Sequence, residues 1–433
     1  MPSLTIRNAR IVSLAEGPRS PRGRRGDAME ELSVIPGADV VIEGSVIKSV
    51  RKKPERQGGL RSAGAPAAKP AGPLLPTGPV TITRDGDDTV IDAAGRALLP
   101  GLVDCHTHAC WAGQRLDEWE MKRKGVPYLK ILEKGGGIMS TVRAVRAASQ
   151  QQLTDLMLPR LHEMLSLGTT TVEIKSGYGL TTTDELKMLH AIRDAQAQWP
   201  GTIRLTALVG HAIDDAQPGF VGRVLRETLP AIAAEFPGIT VDAFCEQGAW
   251  SVEQCILLLN RAHELHLPCR LHADQFNSLG MLPAALRLGI RSIDHLEATT
   301  KEDLELLAKS DAFGVMLPAC GFHMDNRYGR GRRFVMDGGA LCIASNLNPG
   351  SAPCGSMPFI IALAVRHLGL SPAEAITAAT INPLALLGLA DRGTIVAGQR
   401  ADLILLKEAD ERALAFEFGG NPIHTVVVGG KPV

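Results

Sequence analysis

The most constraining feature of the sequence is an alternation of short apolar runs and helical patterns between residues 98 and 392. Each run is short enough for one buried strand and is followed by a loop and a segment with helical periodicity. Eight such units predict an α/β fold of the (β/α)8 TIM-like barrel type. A doubly wound sheet is the alternative, but no glycine-rich phosphate-binding turn follows the first strand. The predicted barrel strands are 99–104, 169–175, 203–209, 239–245, 268–273, 290–295, 312–317 and 340–345.

Several helix starts carry a capping signature, in which a serine or threonine is followed three residues later by a glutamine or glutamate. The predicted pairs are Ser149 with Gln152, Thr182 with Glu185, and Ser371 with Glu374. The last pair encloses a proline at the first helical position, where its fixed φ favours the helix.

The two ends of the chain differ from the middle because they contain short β-branched runs bounded by glycine and aspartate. These runs lie at residues 4–12, 38–47, 401–406 and 425–431, and their composition is typical of strands. The simplest interpretation is one small β-sandwich domain formed by both chain termini, with the barrel inserted between them. The predicted divisions are 1–97 and 393–433 for the two parts of the sandwich and 98–392 for the barrel.

A segment over residues 51–80 is rich in glycine, proline and alanine and holds six basic residues and one acid, Glu55. Such a composition buries too little apolar surface to offset the entropy of ordering the chain. We therefore expect a disordered surface loop. A basic interaction loop is the alternative.

Charge and composition exclude several classes of protein. Lysine plus arginine and aspartate plus glutamate both number 46, which argues against a general binder of nucleic acid. No apolar stretch approaches the roughly 20 residues that cross a bilayer, and the first residues read as a strand rather than a signal peptide. Eight cysteines without a CxxC pair do not form a disulfide framework. The expected location is cytoplasmic.

Histidines occur where several predicted barrel strands end. His106 and His108 are two residues apart at the end of the first strand, so both side chains point to the same side and can reach one metal ion. His211, His272 and His295 follow strands three, five and six. Active sites of barrels lie at these strand ends. Unrelated, partly buried histidines are the alternative for each one taken alone.

Five longer strings make the sequence resemble the metal-dependent amidohydrolase superfamily and, within it, the imidazolonepropionases of histidine degradation. The strings are PGLVDCHTH (100–108), EKGGGI (133–138), TTTVEIKSGYG (169–179), HADQ (272–275) and NPGS (348–351). The resemblance implies hydrolysis of the cyclic amide of 4-imidazolone-5-propanoate, a small-molecule substrate, to N-formimidoyl-L-glutamate. It also implies one Zn²⁺ or Fe³⁺ ion per subunit and a homodimer.

The resemblance carries roles onto individual residues of this chain. Its implied metal ligands are His106, His108 and His272. Arg115 stands where the family contacts the substrate, and a guanidinium suits the propanoate carboxylate. The other implied substrate contacts are Tyr178, His211, Gln275, Asn348, Gly350 and Ser351. Structural alternatives remain: Arg115 could pair with Asp117 or Glu118, Tyr178 could be a core ring, and Gly350 could be a turn glycine.

One position departs from the family pattern. The eighth strand of these enzymes normally ends in an aspartate that ligates the metal and handles a proton, and here that position is Asn346. An amide oxygen can ligate a cation, but it is neutral and is not a base. We therefore expect His295 to carry the proton, with Gln275 and His211 completing the catalytic group. The alternatives are a weak or inactive homologue used for binding, and an amidohydrolase acting on another heterocycle.

Overall fold

The computed structural model of the chain describes residues 3–17, 20–52, 74–126, 130 and 135–433. Its strands form two sheets, one from the chain ends and one from the middle of the chain. In chain order the strands are β1 Ser3–Val12, β2 Val34–Glu43, β3 Val46–Lys52, β4 Thr81–Asp85, β5 Asp88–Asp92, β6 Ala97–Pro100, β7 Leu102–Thr107, β8 Thr169–Lys175, β9 Thr202–Gly210, β10 Thr240–Cys245, β11 Leu271–Ala273, β12 Ser292–His295, β13 Phe313–Met316, β14 Ala340–Ile343, β15 Leu403–Leu406, β16 Ile423–Val428 and β17 Lys431–Pro432.

The middle of the chain forms the predicted barrel. Strands β7 to β14 are parallel and lie side by side in sequence order as one eight-stranded sheet. The first strand meets the segment that follows the last strand through a parallel bridge between Thr107 and Leu347, and the His108 N–H donates to the Leu347 carbonyl at 2.9 Å. The sheet is therefore nearly closed, and its strand ends converge on one site.

Both chain ends share the second sheet, as the sequence predicted. Its order is β17-β16-β15-β6-β1-β2-β3, with β5 beside β1 and β4 beside β5. The core between these strands is formed by alternating aliphatic side chains such as Ile6, Val40 and Leu403, which are buried. The termini therefore form one small β domain next to the barrel.

The segment that connects the two sheets differs from the predicted strand over 99–104, because it is divided between two strands. Residues of β6 pair with β1 and β15 in the terminal sheet, and the first barrel strand begins only at Leu102. Gly101 lies between them and donates its N–H to the Asp402 carbonyl at 2.8 Å. A Cβ on Gly101 would lie 2.2 Å from Thr170 Oγ1, so only glycine fits where the chain changes sheets.

Helices cover the outside of the barrel and follow the strands in the predicted alternation. They are α1 Leu116–Arg123, α2 Ile138–Ala147, α3 Gln150–Ser166, α4 Thr182–Gln198, α5 Phe220–Arg223, α6 Leu229–Glu235, α7 Val252–Glu264, α8 Leu282–Arg287, α9 Lys301–Lys309, α10 Pro318–His323, α11 Gly331–Met336, α12 Met357–Leu363, α13 Pro372–Ala378, α14 Ile381–Leu386 and α15 Ala413–Phe416. A 3₁₀ turn spans Gly26–Glu30, and π turns span Val224–Thr228 and Ala364–Leu368. Among the described residues, no helix combines the length and apolarity needed to cross a bilayer.

Two of the three predicted capping pairs are confirmed. Ser149 with Gln152 and Ser371 with Glu374 each form a reciprocal capping box. The pair Thr182 with Glu185 is wrong by one residue, because Thr181 is the N-cap and accepts from the Asp184 N–H. Glu185 instead turns back to the loop before the helix, as described below.

The predicted disordered loop lies mostly outside the described residues. Arg51 and Lys52 end β3, and description resumes at residue 74. The prediction for residues 53–73 therefore stays a prediction.

Candidate metal centre and active site

The histidines predicted from the strand ends lie together at the carboxyl ends of the barrel strands. The ring centroid of His106 lies 5.3 Å from that of His108, 4.4 Å from that of His272 and 5.9 Å from that of His295. His211 stacks on His108 with centroids 5.1 Å apart. A cavity of about 580 Å³ opens onto this group, within the usual range for small-molecule sites.

Carboxylates fix the orientation of two of these rings. His106 Nδ1 donates to Asp294 at 2.6 Å, and His272 Nδ1 donates to Asp242 at 3.1 Å. In both rings the proton is therefore on Nδ1 and the lone pair is on Nε2. Histidines that ligate metals in proteins are commonly held by such a carboxylate.

One ring nitrogen from each of His106, His272 and His295 lies within 4.8 Å of those of the other two, close enough for one cation to bind them. His108 Nε2 and His272 Nε2 are 3.5 Å apart. His106 Nε2 is buried and has no hydrogen-bond partner among the described residues. Burial, helped by the nearby Lys175 and the other rings, holds the pKa of His106 well below its usual value. Burial also lowers the pKa of His108, so the rings are neutral and able to ligate.

A buried network of charges lies directly beneath the histidines. Lys175 Nζ contacts Glu173 at 2.7 Å and Asp242 at 2.9 Å. Arg270 contacts Asp294 at 2.5 Å and Glu173 at 3.4 Å. The side chains of Lys175 and Arg270 thus hold the two carboxylates that orient His272 and His106. Lys175 is linked through Asp242 to His272, a candidate metal ligand.

His295 ends β12 in a strained backbone. Its φ is +90°, and the φ of Leu296 is +74°, a region that residues other than glycine rarely adopt. The double bend turns the ring into the cavity, where its centroid is 5.5 Å from that of His272. Nδ1 donates to Glu297 at 3.2 Å, so Nε2 carries the lone pair.

The KSGYG string forms the loop that carries Tyr178 beside His211. His211 Nδ1 donates to the Gly177 carbonyl at 3.0 Å, and burial lowers the pKa of His211 to about 3. Glu185 accepts from the N–H groups of Gly177, Gly179 and Leu180 at 2.8–2.9 Å. This is why Glu185 does not cap its helix. Tyr178 lies in the cavity wall as a buried ring, 5.1 Å from His211 between centroids.

Arg115 faces the cavity, but one edge of its guanidinium is already occupied. Nε and Nη2 donate to the two carboxylate oxygens of Glu118 at 2.8 and 2.5 Å. Gly350 lies against the other edge, since a Cβ on Gly350 would be 2.2 Å from Arg115 Nη1. The structural alternative raised for Arg115 and its predicted place in the site are therefore compatible. Arg115 pairs with Glu118, and it also lines the cavity with Gly350.

The loop after β14 is organised by Asn348. Its Oδ1 accepts from the N–H groups of Gly350 and Ser351, both at 2.8 Å. Its Nδ2 donates to the Asn346 carbonyl at 2.6 Å and to Ser351 Oγ at 2.9 Å. The amide of Asn348 is thus engaged at both ends inside the loop.

Asn346 lines the cavity together with the histidine cluster. Its backbone N–H donates to the His106 carbonyl at 3.0 Å, and its φ of +57° is one that asparagine and aspartate tolerate better than most residues. Gln275, also in the cavity wall, donates from Nε2 to Cys320 Sγ at 3.3 Å.

Several residues of the site were not foreseen from the sequence: Asp242, Asp294, Glu185, Glu297 and Arg270. Asp294 and Glu297 flank His295, and acids beside a strand-end histidine were the one available signal. The others become recognisable only through contacts made in the fold.

Comparisons with known proteins agree with the family resemblance of the sequence. The profile of the amidohydrolase family matches residues 97–433. The chain is 44% identical over 359 residues to the imidazolonepropionase of Herpetosiphon aurantiacus, covering 80% of this chain and 84% of that protein. It is 39% identical over 419 residues to the imidazolonepropionase of Deinococcus radiodurans, covering 97% of each. A crystal structure of 5-methylcytosine deaminase from Klebsiella pneumoniae superposes with a TM-score of 0.69 at 16% identity over 99% of this chain and 97% of that one, which shows the shared fold.

Proposed function

Because the chain belongs to the amidohydrolase family and, within it, to the imidazolonepropionases, we propose that its histidine cluster holds one metal ion and hydrolyses 4-imidazolone-5-propanoate. The product is N-formimidoyl-L-glutamate, formed when water adds to the ring carbonyl and the bond to the ring nitrogen breaks. The bond that breaks is the carbon–nitrogen bond of a cyclic amide, so the enzyme is a hydrolase of such bonds.

The observation that carries the metal proposal is the convergence of neutral nitrogens in a buried site. His106, His108 and His272 would hold the ion, with the Asn346 amide as a fourth, neutral ligand. Imidazole nitrogens suit both zinc and iron, and these are the metals that we propose. When bound, the ion supplies a Lewis acid for the ring carbonyl and lowers the pKa of a water molecule.

Substrate recognition follows from the hydrogen-bonding groups left free in the cavity. Arg115 keeps Nη1 and one hydrogen of Nη2 for the propanoate carboxylate, after Glu118 has taken the other edge. His211 donates from Nδ1 to Gly177, so its Nε2 is an acceptor suited to a ring N–H. The Tyr178 hydroxyl is protonated, because burial raises its pKa, and can donate to the substrate. We assign Gly350 and Ser351, in the loop held by Asn348, to the carboxylate as well.

Proton transfer falls to His295 in this chain. Asn346 has no basic group, whereas His295 Nε2 carries a lone pair and faces the centre with Nδ1 held by Glu297. We assign to Nε2 the uptake of a proton from the attacking water and its delivery to the departing ring nitrogen. Gln275 lines the same cavity as His295, and we assign to it the orientation of the ring carbonyl. Glu297 is a positioning residue because it fixes the tautomer of His295.

We also propose that the enzyme is a cytoplasmic homodimer. All eight cysteines are free, as is usual in a reducing compartment. The dimer is what the family resemblance implies, and light scattering of the purified enzyme measures it.

The experiment for the proposed function is a substrate panel. Freshly prepared imidazolone propanoate should be hydrolysed with formation of N-formimidoyl-L-glutamate. Heterocycles without a propanoate, such as cytosine derivatives, should react at least about 100-fold more slowly, since they do not engage Arg115. Preferred turnover of another heterocycle would contradict the proposal, and so would the absence of turnover in metal-loaded enzyme.

A further inference from the structure

We infer that His295, Glu297 and Cys320 form a second cation site, directly beside the centre at His106, His108 and His272. A ring nitrogen of His295 also lies within 4.8 Å of ring nitrogens of His106 and His272. One ligand atom from each of the three residues lies within 4.8 Å of those of the other two. A tetrahedral zinc ion with bonds of about 2.0–2.3 Å separates its ligand atoms by roughly 3.3–3.8 Å. Small side-chain rotations therefore bring the three atoms to coordination distance.

An unpartnered carboxylate oxygen points to a ligand at this place. The Glu297 side chain is 5% exposed, and its Oε1 accepts from His295 Nδ1. Its Oε2 is buried and has no hydrogen-bond partner in the part of the chain that the structure describes. An unsatisfied buried acceptor is costly, and a cation at this position would satisfy it.

Cys320 supplies the softest of the three ligands. It is buried at the start of α10, and Gln275 donates to its sulfur. Burial and the neighbouring Glu297 raise the pKa of Cys320 to about 12, so the thiol is protonated without a metal. A coordinating ion displaces that proton and forms a metal–thiolate bond, with release of one H⁺.

The ligand set defines the class of cation. Nitrogen, sulfur and one carboxylate favour borderline and soft divalent ions such as Zn²⁺, Co²⁺ and Cd²⁺ over Mg²⁺ and Ca²⁺, which prefer oxygen ligands. The site is therefore expected to fill when such ions exceed what the first centre requires.

His295 is also the residue to which we assign proton transfer, and this gives the second site a function that rests on the proposed function. A cation that binds Nδ1 moves the Nδ1 proton to Nε2 and breaks the hydrogen bond to Glu297. The lone pair that receives a proton from water is then lost. The second ion is thus an inhibitor, and kcat should fall by about 100-fold when it binds, the lower end of what a general acid–base group contributes.

The test is a titration of the enzyme, already loaded with one equivalent of its metal, with Co²⁺. A sulfur-to-cobalt charge-transfer absorption should appear with one added equivalent and reach a plateau, since the first centre contains no sulfur ligand. Turnover should fall in parallel. Cys320→Ala should abolish the absorption and keep its own turnover on cobalt addition. The matched control is Cys354→Ala, because Cys354 is the least buried of the free cysteines; it should behave as wild type.

The outcomes separate the site from the catalytic proposal. A missing charge-transfer absorption, or one that survives in Cys320→Ala, overturns the second site whatever the activity. A cobalt absorption that depends on Cys320 in a protein that does not hydrolyse imidazolone propanoate keeps the site and refutes the proposed function. If Cys320→Ala does not fold, Glu297→Gln replaces it and should weaken cobalt binding at least tenfold; an unchanged affinity overturns the site.

Discussion

Arg115 and Glu118 form a paired, two-pronged contact at the edge of the cavity, in which Nε and Nη2 of the guanidinium donate to the two oxygens of one carboxylate. The carboxylate is further held by the Gly137 N–H at 2.8 Å and by Lys122 Nζ at 2.7 Å. Arg115 is therefore fixed before substrate arrives, and binding of the propanoate does not have to order its long side chain.

We predict that Arg115→Lys raises KM about tenfold or more, with a smaller effect on kcat, because an ammonium ion does not reproduce the planar contacts of a guanidinium. A tenfold change corresponds to about 1.4 kcal/mol. Glu118→Gln should raise KM as well, since a neutral amide holds Arg115 less firmly. Asp117→Asn, one residue away and exposed, is the control and should leave both constants unchanged. Steady-state kinetics of the four proteins decide, and an unchanged KM in Arg115→Lys would remove Arg115 from substrate binding.

The same pair predicts a pH dependence of stability. Burial acts to raise the pKa of Glu118, but hydrogen bonds from Arg115 and Lys122 outweigh it and lower the pKa from 4.5 to about 2. Between these two pKa values the unfolded chain therefore binds more protons than the folded one. The contribution of Glu118 to the free energy of unfolding is complete above pH 4.5 and is lost as the pH falls towards 2. The difference in the free energy of unfolding between wild type and Glu118→Gln should shrink from pH 7 to pH 4 by no more than about 1 kcal/mol, because solvent screens the pair. Denaturant unfolding at both pH values measures it, and a difference that grows at pH 4 would contradict the assignment.

The sequence predicted the barrel and the histidine cluster because both depend on local pattern. Each barrel strand is a short apolar run, and the HxH pair puts His106 and His108 on one side of a single strand. The carboxylates that orient the histidines could not be predicted in this way, because their contacts join distant parts of the chain. His106 and Asp294 are 188 residues apart, so their pairing exists only once β7 and β12 share a barrel. Glu185 was misread as a capping residue because its partners, three N–H groups of the preceding loop, depend on the shape of that loop.

We predict that Lys175→Met destabilises the fold by about 3–5 kcal/mol, since it removes the lysine contact of buried Asp242 and leaves Glu173 only its longer contact with Arg270. Lys309→Met is the matched control, because Lys309 forms an exposed contact with Glu305 one helical turn away. That substitution should leave the free energy of unfolding nearly unchanged. Chemical denaturation of both variants in the metal-free state separates the effect from metal binding. Equal stability of the two variants would mean that the buried network does not need its lysine.

Asn346→Asp should increase both kcat and metal retention. The variant returns a negative charge and a proton acceptor in a side chain of nearly the same shape, at a φ of +57° that aspartate also tolerates. A gain of tenfold in kcat is about 1.4 kcal/mol, well below the 10²–10⁴-fold that a general base typically contributes. Asn326→Asp makes the same charge change at an exposed asparagine with a φ of +58° and should alter neither quantity. If wild type retains its metal fully and Asn346→Asp is no faster, His295 alone meets the need for a base.

The most direct test of the account is to measure metal content and turnover of imidazolone propanoate on one and the same sample, before chelation, after chelation and after reloading with zinc or iron. We predict about one ion per subunit in the active enzyme, loss of turnover with loss of the ion, and recovery of both on reloading, with His272→Ala neither retaining the ion nor recovering. Full turnover in metal-free enzyme, or metal-loaded His272→Ala that remains active, would contradict the assignment of the histidine cluster as the catalytic metal centre.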